Sequence, residues 1–97
     1  IAAPVAPVAE LGPDAEERLR VQIMAVTAEI DGLRGCNPIH IRPGPDGYDL
    51  AMHCLADPDM PIADAHHLAD QVEKRVELEV PGVSRVLVHI EPEGELG

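Results

Sequence analysis

Five residues, Pro43-Gly44-Pro45-Asp46-Gly47, stand between two runs of alternating apolar and polar side chains, Ile39 to Arg42 and Tyr48 to Leu55. Proline presets the backbone of a turn and glycine supplies the conformations other residues avoid, so this stretch is dense turn chemistry. Period-two alternation on both flanks makes the pair read as a β-hairpin. The rest of the chain has to be fitted around it.

Before the hairpin, Asp14, Glu16 and Glu17 crowd what reads as a first helical turn, where the helix dipole favours anions. Apolar residues then recur at Leu19, Ile23, Val26, Ile30 and Leu33, at spacings of three and four, which predicts one amphipathic helix stopped by Gly32 and Gly35. After the hairpin, "DPDMP" breaks the chain and Pro61 suits a first helical position. Ile62, Ala65, Ala69, Val72, Val76 and Val80 form a second stripe, closed by Pro81 and Gly82. The last element is a strand, Arg85 to Ile90, ended by Pro92.

The order is therefore helix, strand, strand, helix, strand. The second helix is long enough to carry a right-handed crossover between the last two strands. Two amphipathic helices and a three-stranded sheet predict a two-layer α+β sandwich, with both helices on one sheet face and the other face uncovered. Residues 1–12, rich in Ala, Pro and Val, read as a linker or extended arm, 13–92 as the domain, and 93–97 as a flexible tail.

At 97 residues the chain supports one small domain. It starts at Ile1 and reads as a processed chain or a piece of a longer one. Tyr48 is its one aromatic residue, so the core must be aliphatic and thin, a situation in which a partner subunit or a metal commonly helps. A net charge of −11 repels phosphate backbones, and the missing aromatics remove stacking platforms, which argues against nucleic-acid binding. No run of about 18 apolar residues is present to cross a membrane, and no basic leader precedes an apolar segment. Cys36 and Cys54, 18 apart, make no disulfide framework and read as two reduced, semi-buried thiols.

Alternation decides which residues face away from the helices. Ile39 and Ile41, then Tyr48, Leu50, Met52 and Cys54, then Val86, Val88 and Ile90 form the apolar sets expected to meet the helices. His40, His53, His89 and Glu91 then share the open face among Ala51, Leu55 and Leu87. Imidazole nitrogen and carboxylate oxygen suit borderline divalent metals such as Zn²⁺. The same residues also suit a polar interface, and spacing alone leaves both readings open. On the second helix His66, with Asp70 four residues on, is the better placed of two adjacent histidines; His67 reads as a surface residue. No nucleophile–base pair and no phosphate-binding glycine loop is visible, so catalysis is not expected.

Taken together, "IHIRPGPDGYDLAMHC", "ADAHHLADQVEKRV" and "VSRVLVHIEP" resemble the cytoplasmic C-terminal dimerisation domain of cation diffusion facilitator transporters, from about Gly12 to Pro92. The features that carry the likeness are Arg42 ending the first strand, His53 late in the second, Ala65-His66 early in the second helix, and Val88-His89-x-Glu91-Pro92. The resemblance implies a ferredoxin-like, metallochaperone-like αββαβ domain that homodimerises at the cytoplasmic face of the membrane, beneath the transmembrane domain of its parent transporter. It implies divalent metal binding, with Zn²⁺ first and Fe²⁺ or Mn²⁺ as alternatives. Metal would draw the two protomers together and promote efflux, by relieving carboxylate repulsion across the cleft. Carried over by position, His53, His66, His89 and Glu91 are the ligands. Asn37 stands where family members often have a further histidine, a place that His40 or Cys36 could fill. The rival reading is a metal-independent structural dimerisation module.

Overall fold

A computed structural model describes residues 11–94. The first ten residues of the expected linker and the last three of the expected tail lie outside them.

Helix α1 spans Pro13–Thr27, with Pro13 in its first turn beside Asp14 and Glu16. It buries Leu19, Ile23 and Thr27. Here the sequence expectation needs correcting, because the stripe that reads as helix through Leu33 crosses a helix end. Backbone N–H groups of Glu29 and Ile30 donate to the carbonyls of Val26 and Thr27, tightening the last turn. Gly32, at φ +92, then redirects the chain. Ile30 still reaches the core from the turn, and Leu33 already opens strand β1 (Leu33–Pro43).

Strand β2 (Tyr48–Ala56) pairs antiparallel with β1, as the turn chemistry requires. The amide of Gly44 donates to the carbonyl of Gly47 at 2.8 Å across the hairpin turn. Helix α2 (Ile62–Glu79) follows, with Pro61 at its N-cap position, and strand β3 (Val83–Pro92) returns parallel to β2. The sheet order is β1-β2-β3. The fold is α+β, two helices over one face of a three-stranded sheet, as the sequence predicts.

The strand alternation holds. Ile39, Leu50, Met52, Cys54, Val86 and Val88 are buried under the helices, while His40 and His89 are exposed and His53 half-buried. The α2 stripe is shifted from expectation: Leu68, Val72, Val76 and Val80 are buried, whereas Ile62 is 77% exposed. Ile62 instead lines the rim of a groove against the ends of β2 and β3.

Candidate functional site

On the open face the parallel register sets His53 of β2 directly against His89 of β3, and Leu55 against Glu91. The two imidazole centroids are 5.5 Å apart with the rings tilted 56°. Glu91 reaches back across the strands: one carboxylate oxygen lies 3.0 Å from His53 Nδ1 and 3.9 Å from His89 Nε2. In the tautomer that carries its proton on Nδ1, His53 donates to Glu91, and Nε2 is then the ring's acceptor. All three side chains are between about two-fifths and two-thirds exposed, so an ion from solvent can reach them.

The other expected ligands fall at different distances from this trio. His66 is exposed on α2 and lines a groove of about 420 Å³ at the outer side of β3, together with His89 and Glu91. That groove exists because Ala65 and Ala69 are too small to close the space between α2 and the end of β3. The His40 ring lies edge-on to His53 at 6.5 Å and borders a separate hollow with Arg42, Asp49, Arg85 and Leu87. His67 is exposed on α2. Among the described residues no three His, Cys, Asp or Glu side chains are gathered closely enough to hold one ion.

Cys36 departs from expectation. It is bonded to Cys54, so the two cysteines are a cross-strand disulfide and not reduced thiols. The reason is register: irregularities on both sides of Cys36 bring it opposite Cys54, and sequence spacing carries no sign of them. With its sulfur in that bond, Cys36 does not join a metal site.

One cluster goes unnoticed in the sequence. Arg34 donates to Asp57 at 3.2 Å and to Glu93 at 2.8 Å, clasping the ends of all three strands beside the histidines. Both carboxylates hold the guanidinium above its ordinary pKa, the hydrogen bond that Glu93 accepts most of all. The signal was present for Asp57, which continues the odd-numbered side of β2 that carries His53.

The profile of the family described as cation efflux protein, cytoplasmic domain, matches residues 15–93. The chain belongs to that family. This cation efflux domain is 30% identical over 64 residues to metal tolerance protein C1 of Arabidopsis thaliana, covering 66% of the chain and 14% of that protein. It is 31% identical over 81 residues to the cation-efflux pump FieF of Pectobacterium atrosepticum, covering 82% and 25%. The chain thus spans about a quarter or less of the curated relatives it matches. Among solved structures, the metal-bound C-terminal domain of the CzcD transporter from Thermotoga maritima superposes with a TM-score of 0.80 at 23% identity, covering 90% of this chain and all of that one. A double variant of the MamM C-terminal domain gives a TM-score of 0.77 at 20% identity, covering 82% of this chain and 96% of that one. These likenesses establish the fold of the cation efflux domain as that of transporter C-terminal domains.

Proposed function

We propose that this domain, residues 13–92, is the homodimerising regulatory unit of a divalent-cation efflux transporter, on the cytoplasmic side of the membrane and not itself a catalyst. In this reading it binds a divalent ion, Zn²⁺ first and Fe²⁺ or Mn²⁺ as alternatives, through His53, His89 and Glu91, with His66 from the adjoining groove. The observation that carries it is the cross-strand His53–His89 pair sharing one Glu91 oxygen on the uncovered sheet face. Two imidazoles and a carboxylate are a donor set that borderline divalent metals accept. One protomer brings fewer than three donors within reach of a single point. A second copy facing the same surface would supply the remainder, so metal uptake and closure of the two protomers are linked. Closure would in turn promote transport by the transmembrane part of the parent protein.

A metal-independent dimerisation module is the alternative, favoured by the exposed Leu87 on the same face. Calorimetric titration of the 97-residue chain with Zn²⁺, Mn²⁺ and, without oxygen, Fe²⁺ separates the two, run beside sedimentation. The metal reading expects uptake in the wild type, its loss in His53→Ala/His89→Ala, and tighter dimers with metal. A wild type that dimerises equally well in chelator and takes up no metal establishes the structural module instead.

A further inference from the structure

Strands β1 and β3 are the outer strands of the sheet. An outer strand presents a row of backbone donors and acceptors ready to pair with another chain. Here helix side chains take up part of each row. On β3 the amide of Val88 donates to Glu73 Oε2 and that of Val86 to Glu77 Oε2, each at 3.0 Å. The two glutamates are one α2 turn apart, a rise of about 6 Å. Alternate strand residues are spaced about 6.6 Å. Helix and strand run in opposite directions, so a single turn of α2 matches two successive outward N–H groups of β3. On β1 the Arg20 guanidinium donates to the carbonyl of Ile39 at 2.6 Å and is itself steadied by Glu16. Pro43, ending the same strand, has no N–H to offer.

Surface glutamates on an amphipathic helix ordinarily point into water. A pair that turns inward to backbone amides is an arrangement with a consequence: a carboxylate seated on the amide excludes the carbonyl that an incoming strand would bring. We propose that Glu73 and Glu77 act as edge guards, closing β3 against strand pairing with a second copy of this chain. Self-association is thereby confined to the open sheet face. The assignment is independent of metal and of which residues ligate it.

The test compares two double variants with the wild type, all in chelator. Glu73→Gln/Glu77→Gln and Glu73→Ala/Glu77→Ala remove the same two negative charges, but only the glutamine pair keeps oxygens that accept the amides. The expected result is that amide exchange at Val86 and Val88 speeds up about tenfold or more in the alanine pair. That variant alone also sediments as species larger than the wild type's. The glutamine pair stays close to wild type in both measurements. Unchanged exchange and sedimentation in the alanine pair overturns the proposal, and so does equal association of both pairs, which would trace it to lost charge. Should the alanine pair fail to fold, Glu77→Ala alone carries the same comparison against Glu77→Gln at the Val86 amide.

Discussion

Ile23 has no solvent exposure at the centre of the α1 stripe, in a core built without Phe or Trp. Truncating it leaves a cavity that small aliphatic neighbours cannot refill. Ile23→Ala is expected to cost about 2–5 kcal/mol by urea denaturation. Leu78→Ala, at a site 85% exposed, should move the midpoint by less than about 0.5 kcal/mol. Gly47 is constrained differently. Its φ is +153, and a Cβ there would meet the Gly82 carbonyl oxygen at 2.7 Å. That same oxygen accepts the amide of Tyr48. Backbone lies on both sides, so neither can yield cheaply, and Gly47→Ala should destabilise by about 1–3 kcal/mol. Gly12→Ala, where a Cβ meets nothing within 4 Å, is the control. In the candidate site the residue identities were legible from alternation, because side-chain facing is a local property. The Glu91–His53 contact was not, since it depends on β3 lying parallel to β2 in one register.

Between elements, Arg75 carries the tie from α2 to the turn after α1. It donates to Glu29 at 2.6 Å and to Glu79 on its own helix. The hydrogen bond from Arg75 holds the Glu79 carboxyl below the ordinary carboxylate range, while Arg75, raised by Glu79 first and Glu29 second, stays charged throughout. A depressed carboxylate pKa contributes stability that is present above the ordinary carboxylate range and lost as pH falls through the lowered value. Arg75→Gln should therefore lower Tm at neutral pH, with the gap to wild type closing in acid. The pair is exposed, so the gap should also shrink in high salt. A gap that persists unchanged below the pKa of Glu79 would mean that Arg75 acts through packing alone. The type and order of the five elements were readable, although Leu33 to Pro38, expected as helix end and turn, belong to strand β1. Element ends were not: the same apolar spacing continues across the end of α1 because Ile30 is buried from a turn as effectively as from a helix.

For the molecule as a whole, one layer of helices leaves one sheet face bare. That face carries Leu87, 66% exposed, between an arginine end and a histidine–glutamate end. Since Leu87 contributes little to the core of a single chain, Leu87→Glu should leave the thermal midpoint almost unchanged. It should also weaken dimerisation, read by sedimentation equilibrium in chelator. If the variant associates as tightly as the wild type, the protomers do not meet through this surface. The charge of −11 gives the chain as a whole a general attraction for cations, so matched ionic strengths of NaCl are the necessary control for any divalent effect.

By itself the sequence determined the element order, the hairpin, the two-layer architecture and the side of each strand on which His40, His53, His89 and Glu91 stand. All of these follow from local periodicity and turn chemistry, which neighbouring residues settle among themselves. Tertiary structure alone decided the rest: the bond between Cys36 and Cys54, the Arg34 clasp, the turning of Glu73 and Glu77 onto the edge of β3, and the shared oxygen of Glu91. Each of those joins residues from different elements, and their meeting depends on strand register and helix placement. Only packing of the whole chain fixes those two quantities.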